Sequence, residues 1–168
     1  PQSARAAQTS TASPTVPQAD AQPAVGMSTE LLNKIASADR QALQTLSQHC
    51  TACALSAMGR QHVVFSDGGP GPKLVVVGEA PGAEEDLQGI PFVGKSGKLL
   101  TAMLDSLGLV RRRDCVILNV LKCRPPRNRN PQPEEIVCCG HWLARQLELL
   151  KPDVLFLAGR FAISSLLK

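Results

Sequence analysis

Residues 74–82 read LVVVGEAPG, an apolar run that ends in two glycines separated by an acid, an alanine and a proline. A short, Val-rich run of this kind is typical of a strand buried on both faces of a parallel sheet. Similar runs follow at 115–120 (CVILNV) and 154–158 (VLFLA), and the sequence predicts helices over about 96–107, over 133–150 and after Gly159. This alternation predicts an α/β fold with a central parallel sheet and helices on both faces.

The chain before the first strand divides into two parts. Residues 1–27 are rich in Ala, Gln, Ser, Thr and Pro and lack apolar periodicity, which predicts a disordered tail or linker. Ser28 is a candidate cap for a helix that reaches about Gln48, where apolar residues recur at helical spacing. We therefore expect a tail over 1–27 and one folded domain over 28–168.

Charge and hydropathy leave several classes of partner open. The chain has 18 Lys and Arg against 14 Asp and Glu, and the net charge of +4 permits a polyanionic partner without requiring one. No stretch is long and apolar enough to predict a membrane span, and the first residues lack the apolar core of a signal peptide. We therefore expect a cytosolic protein, in which six cysteines indicate metal binding rather than disulfides.

Ligands of parallel sheets bind beyond the carboxyl ends of the strands, so the residues there are candidate site residues. Glu79 follows the first strand directly, between Gly78 and Ala80, and the glycine lets the backbone approach a ligand closely. Phe92, in the loop GIPFVG, could offer a flat face to a base. Asn119 ends the second strand, where its amide could read a base edge by paired hydrogen bonds. The alternative interpretations are a solvated loop for the acid and a strand-end cap for the amide.

Basic residues surround these positions. Arg124, Arg127 and Arg129 lie in the proline-stiffened loop KCRPPRNRNP, which suits phosphate contacts, although a solvated loop is the alternative. Lys95 and Ser96 open a helix whose N–H groups could hold a DNA phosphate. Residues 89–96 (GIPFVGKS) also match the P-loop pattern, but a P-loop follows a strand directly and this one does not, which disfavours nucleotide hydrolysis.

The cysteines form a further candidate site. Its members are Cys50 and Cys53 in a C-x2-C pair, with Cys123 and Cys139 later in the chain. Cys138 is a rival to Cys139, and unrelated buried thiols are the alternative to a shared site. Four thiolates could hold either zinc or a [4Fe–4S] cluster, and spacing alone does not choose between them.

Together these motifs resemble those of the family 4 uracil-DNA glycosylases, the iron–sulfur branch of that superfamily. The resemblance runs from about Cys50 to Lys168. It rests on GEAPG at 78–82, ED at 85–86, PFVG at 91–94, the Asn119 strand leading into KCRPP at 122–126, and PEEI at 133–136. These motifs agree in order and in spacing, which makes the resemblance specific.

The resemblance implies a three-layer α/β/α domain that hydrolyses the N-glycosidic bond of deoxyuridine in DNA, in base excision repair. Released uracil and an abasic site would be the products. It implies that Phe92 stacks on a flipped uracil, that Asn119 bonds the Watson–Crick edge of the base, and that Glu79 lies beside the base and the attacking water. Glu85 or Asp86 could share that last role. A catalytically silent, glycosylase-like DNA-binding module is the alternative function.

The resemblance also implies a [4Fe–4S] cluster on the cysteines, with zinc as the alternative. The family's fourth ligand follows the Glu-Glu-Ile helix start at the offset of Cys139, which favours this residue over Cys138. The family carries a His-containing segment after its last strand, which these residues lack. We therefore expect a chain incomplete at its C-terminus, without the last strand and loop, and a parent protein that is a monomer in the prokaryotic cytosol.

Overall fold

The computed structural model describes residues 26–167 of the chain. The predicted tail therefore lies outside the described residues, apart from Gly26 and Met27. Met27 is buried, with 5% of its surface exposed, and packs with Ile35 and Leu43. The folded part thus begins before Ser28, one residue or more ahead of the predicted boundary.

Three strands form one parallel sheet, as the apolar runs predict. They are β1 (Leu74–Gly78), β2 (Cys115–Asn119) and β3 (Val154–Leu157), in the order β2-β1-β3. The register pairs Gly78 with Asn119 at the carboxyl ends of β1 and β2. The residues that follow β1 and the amide that ends β2 are therefore neighbours, although they are far apart in the chain.

Six α-helices accompany the sheet within residues 26–167. They are α1 (Thr29–Ser37), α2 (Arg40–Gln48), α3 (Ala83–Gln88), α4 (Lys95–Ser106), α5 (Pro133–Leu150) and α6 (Arg160–Leu166). The prediction of one helix from Ser28 to Gln48 is wrong. Ser28 does cap α1 by accepting from the Leu31 N–H at 3.2 Å, but the chain turns extended at Ala38 and Asp39 starts α2 by capping the Ala42 N–H at 2.8 Å.

The helices lie on both faces of the sheet, which confirms the predicted fold class. On one face, Leu143 of α5 packs in a cluster with Val75 and Val77, and α6 joins that cluster through Ala162. The other face is covered by α4, whose Leu100 packs with strand residues in a second cluster. Helices α1 and α2 pack on α5 in turn, around a further apolar cluster.

Strand β3 is the least covered part of the described sheet. Val154 and Phe156 expose 58% and 45% of their surface, whereas every residue of β2 is buried.

Among the described helices, none is long and apolar enough to cross a membrane.

Candidate active site

A cleft of about 430 Å³ opens at the carboxyl edge of the sheet. It draws its walls from the residues that follow all three strands, which is where a parallel sheet binds ligands. The lining residues are Glu79, Ala80, Pro81, Gly82, Glu85, Phe92, Ser96, Asn119, Pro125, Asn128, Arg129 and Ala158. The structure therefore brings the acid, the aromatic ring and the amide, all predicted from sequence, to one cavity.

Gly78 lies where the ring of Phe92 and the amide of Asn119 meet. A Cβ built on Gly78 would lie 2.5 Å from Cε2 and Cζ of the ring and 2.6 Å from Oδ1 of the amide. Real side chains do not approach so closely, so only glycine leaves room for both groups. A close approach, rather than an unusual backbone angle, thus requires glycine at this position.

The amide of Asn119 is buried without a partner. Only 2% of the residue is exposed, and Oδ1 has no hydrogen-bond partner within residues 26–167. An orphaned buried acceptor costs about 1–3 kcal/mol, so it is uncommon in a folded core and points to a ligand. The backbone carbonyl, in contrast, accepts from Nζ of Lys122 at 2.7 Å. The main chain is held while the amide oxygen is left for a ligand that donates a hydrogen bond.

Three carboxylates of the predicted motifs have different surroundings. Glu85 lines the cleft, but it accepts from the N–H groups of Gly82, Val93 and Gly94 at 2.9–3.1 Å, which ties the loop after β1 to the start of α4. Asp86 lies outside the cleft lining, is 1% exposed, and accepts from backbone N–H groups of residues 61 and 62. Glu79 lines the cleft half-buried, and its carboxylate makes no hydrogen bond to other described residues, although its backbone carbonyl accepts from the Leu121 N–H at 3.0 Å. Glu79 is therefore the acid left to interact with a ligand.

The predicted basic residues near the cleft differ in their exposure and in their hydrogen bonds. Lys95 is exposed at the first turn of α4, beside Ser96 in the cleft wall. Arg127 is exposed, whereas Arg124 donates from Nε to the Asn128 side chain at 2.8 Å.

Arg129 lines the cleft, but its guanidinium is held by a buried acid. It donates through both Nη atoms to Glu135, at 2.6 and 2.9 Å. Burial disfavours the charged form of Glu135, but the hydrogen bonds from Arg129 and from the Gln132 N–H outweigh it and lower the pKa of this carboxyl. Both hydrogen-bonding ends of the Arg129 fork are thus engaged by the protein.

The four predicted cysteine ligands line one second cavity, together with Cys138. Its walls are Ser47, Cys50, Ala52, Cys53, Ser56, Arg60, Val63, Lys122, Cys123, Cys138, Cys139 and Trp142. Burial raises the pKa of Cys123 to about 11, and it raises the pKa of Cys53 and Cys139 as well. Thiols in such surroundings ionise only when a positive charge compensates the thiolate.

Two cations face these thiols. Arg60 donates from Nη1 to Sγ of Cys123 at 3.1 Å and from Nη2 to the carbonyl of Cys50 at 2.7 Å. Lys122 is 2% exposed and forms no ion pair with a described acid. Burial lowers the pKa of its ammonium group to about 7, although the neighbouring Cys139 and Cys123 partly offset this by raising the pKa. A buried lysine beside neutral thiols is costly, whereas an anionic metal–thiolate centre would compensate it. The chemistry of these residues therefore fits such a centre.

Several residues that shape both sites have no sequence signal of their own. Arg60 lies outside every motif, and its contact with Cys123 joins residues 63 positions apart. Lys122 was identified only as part of a basic loop, although it lines the cysteine cavity and holds the backbone of Asn119. The sequence did offer one indication of its role: Lys122 directly precedes a candidate ligand cysteine and comes three residues after the end of a buried strand.

The parallel sheet, with a cleft at the carboxyl ends of its strands, is the arrangement of an α/β ligand-binding domain. Comparison with known protein families identifies the family to which this domain belongs. Residues 65–168 match the family model described as the uracil DNA glycosylase superfamily. The chain belongs to this superfamily.

The chain is similar to several type-4 uracil-DNA glycosylases. The chain is 50% identical over 115 residues to that of Thermotoga maritima, which covers 68% of this chain and 59% of the relative. It is 54% identical over 113 residues to that of Archaeoglobus fulgidus (67% and 56%) and 40% identical over 119 residues to that of Saccharolobus solfataricus (71% and 55%). These matches confirm the resemblance to family 4, and the chain spans between 55% and 59% of the length of these three relatives.

Proposed function

We propose that this protein removes uracil from DNA by hydrolysing the N-glycosidic bond of deoxyuridine, which leaves an abasic site for base excision repair. One observation carries the proposal: the unpartnered buried amide of Asn119 and the ring of Phe92 meet over Gly78, in a cleft that also holds Glu79. An amide and an aromatic ring side by side are what a single extruded pyrimidine requires.

The base has to leave the duplex or come from a single strand, because its glycosidic bond is out of reach of the cleft while the base is stacked inside a duplex. Flipping a base costs a few kcal/mol. Stacking on Phe92 would return about 1–3 kcal/mol of this, by the scale of base–aromatic contacts.

Asn119 would read the Watson–Crick edge of the base. Uracil presents an N3–H donor between two carbonyl acceptors, so Oδ1 would accept from N3–H while the amide nitrogen donates to O4. This pairing would satisfy the orphaned buried oxygen, and donors aimed at the uracil oxygens stabilise the negative charge that develops as the bond breaks. Backbone N–H groups of the loop after β1 would be further donors to that charge, apart from Pro81, which has none, and Gly82, whose N–H donates to Glu85.

Glu79 would position and activate the attacking water. Cleavage builds positive charge on the sugar, which a neighbouring carboxylate stabilises, and a carboxylate can also take a proton from water. Glu85 and Asp86 are engaged by backbone N–H groups, which supports Glu79 for this role.

The DNA backbone would be held by basic groups at the two sides of the cleft. On one side, Lys95 and Ser96 begin α4, where N–H groups and the helix dipole attract phosphate. On the other side, Arg124 and Arg127 would contact phosphate directly. Arg129, held by Glu135, would act mainly by fixing this loop. The predicted monomeric state and cytosolic location remain predictions.

A [4Fe–4S] cluster would bind Cys50, Cys53, Cys123 and Cys139. Zinc is the alternative, because four thiolates can hold either centre. When bound, the cluster supplies structural cross-links rather than chemistry at the sugar. Lys122 and Arg60 would compensate its negative charge, and Lys122 would hold the Asn119 backbone from the cluster side.

The proposal is tested with oligonucleotides that are identical except for one deoxyuridine or thymidine. The intact protein is incubated with each, and abasic sites are detected by alkaline cleavage and free uracil by chromatography. We expect cleavage of the uracil strand only, and loss of cleavage in Glu79→Gln with DNA affinity retained. Tight binding of both strands without release of uracil would contradict the proposal and favour a silent DNA-binding module.

A further inference from the structure

The backbone of Phe92 is held in an uncommon conformation. Its φ of 53° lies in the left-handed region, which side-chain-bearing residues rarely adopt. Such a conformation persists only where neighbouring groups fix it, and it is often found at functional sites. Gly97 is part of this support: a Cβ there would overlap the Phe92 carbonyl, so glycine is what lets α4 approach the loop.

Arg111 supplies the main contacts to this loop. Its Nη1 donates to the carbonyl of Phe92 at 2.6 Å and to Oγ1 of Thr101 in α4 at 3.2 Å, and its Nη2 donates to the carbonyl of Pro91 at 2.5 Å. One guanidinium thus bonds the carbonyls on either side of the Phe92 Cα, and it also bonds the helix that follows. The planar fork of arginine suits this geometry, which a lysine could not reproduce.

Asp67 fixes Arg111 in turn. Oδ2 of this buried acid accepts from Nε of Arg111 at 2.8 Å. The backbone of Asp67 is itself bonded to the middle of β2, since its N–H donates to the Ile117 carbonyl at 3.0 Å and its carbonyl accepts from the Ile117 N–H at 2.8 Å. Asn119 lies two residues further along this strand. The ring and the amide that meet at Gly78 are therefore both held by β2.

We propose that Arg111 and Asp67 are positioning residues, which set the place of the Phe92 ring relative to Asn119 and so determine the affinity for the extruded base. This inference rests on the proposed function. Neither residue touches the base: Arg111 acts through the backbone of Phe92, and Asp67 acts through Arg111.

A double-mutant cycle tests the inference. Arg111→Met removes the donors and keeps much of the volume, and Phe92→Ala removes the ring. Affinity is measured by fluorescence anisotropy with an oligonucleotide that carries 2′-fluorodeoxyuridine, whose glycosidic bond resists cleavage, and with a thymidine control. Arg113→Met is the matched control, because the exposed side chain of Arg113 bonds only its neighbour Asp114 among the described residues.

We expect Arg111→Met to weaken binding of the fluorinated strand by about 5- to 150-fold, the range that stacking energies imply. In the Phe92→Ala background the same substitution should weaken it by less than about twofold, since no ring is left to place. Arg111→Lys should lie between Met and the parent, and Arg113→Met should bind like the parent. An equal loss with and without the ring would overturn the inference, as would parental binding by Arg111→Met.

Hydrogen exchange supplies a readout that does not depend on uracil. Arg111→Met should speed exchange over residues 91–97, whereas Arg113→Met should not, and unchanged exchange would overturn the inference. If the parent binds the uracil and thymidine strands equally, the proposed function fails and the inference fails with it. If the parent prefers uracil and the cycle is additive, the inference alone fails.

Discussion

Substitution of Gly78 by alanine is the sharpest probe of the cleft, because one methyl group meets both base-binding groups. The φ of Gly78 is not in the left-handed region, so the backbone accepts alanine and the effect is steric. The new Cβ would lie 2.5 Å from the Phe92 ring and 2.6 Å from Oδ1 of Asn119. Carbon atoms in contact prefer roughly 3.5–4.0 Å, so the ring has to retreat by about 1 Å or more.

The magnitudes follow from that displacement. Overpacking of a core costs about 1–3 kcal/mol, and the reduced flexibility of alanine returns roughly 0.5–1 kcal/mol. We therefore expect Gly78→Ala to be less stable by roughly 0–2.5 kcal/mol. A misplacement of about 1 Å at a reacting centre can cost roughly 100-fold in rate, and we expect a loss of that order in single-turnover cleavage of uracil DNA.

Gly140 provides the matched control. It lies inside α5, its φ is not in the left-handed region, and a Cβ there would meet no atom of the described residues within 4 Å. Gly140→Ala should raise the free energy of unfolding by up to about 1 kcal/mol and leave the cleavage rate unchanged. Both variants are measured by thermal unfolding and, well below the transition, by single-turnover kinetics. A parental rate in Gly78→Ala would refute the placement of ring and amide over this glycine.

Three other outcomes are expected. Asn119→Ala should lower uracil excision by about 100-fold or more while denaturant unfolding shows an unchanged or higher stability, because the substitution removes an orphaned buried acceptor; a destabilised variant would contradict a binding role for the amide. Cys123→Ser should lose the brown colour and the iron of anaerobically purified protein, whereas Cys115→Ser, in β2, should keep both; stoichiometric zinc in a colourless parent would contradict the cluster. Glu135→Gln should lower the free energy of unfolding by about 1.5–3 kcal/mol at neutral pH, because it weakens the charged hydrogen bonds to Arg129. Since the pKa of this carboxyl is lowered in the fold, the parent should lose the same contribution to its stability as pH falls below 4.5. Parallel profiles of stability against pH for the two proteins would show that the pair contributes nothing.

Much of the fold follows from local patterns. The apolar runs that became β1, β2 and β3 and the periodic stretches that became α4 and α5 were predicted to within about two residues, because the apolar pattern of each segment is visible in its own sequence. The single helix predicted from Ser28 to Gln48 is instead broken at Ala38 and Asp39, and the cause of this break is also local. The apolar spacing continues across the break, and only the capping bond of Asp39 reveals that a second helix begins there.

The candidate site divides along a similar line. The order of motifs located Glu79, Phe92 and Asn119 at the carboxyl edge of the sheet, since parallel strands bring their carboxyl ends together. Sequence could not separate Glu79 from Glu85 and Asp86. What distinguishes them is the set of backbone N–H groups that each carboxylate meets, and those groups come from loops that the motif does not contain.

By itself, then, the sequence determined the class of fold, the edge of the sheet that binds ligands, and the residue types that line the cleft. The tertiary structure alone decided that Oδ1 of Asn119 has no partner within the part of the chain that the structure describes, that Arg111 holds the loop of Phe92, and that Lys122 lies between the cysteine cavity and the cleft. The physical reason is range. Apolar periodicity and capping are visible among near neighbours in the chain. The hydrogen bond from Arg111 to Phe92, in contrast, spans 19 residues and that from Arg60 to Cys123 spans 63, and such contacts exist only once the sheet has brought the segments together.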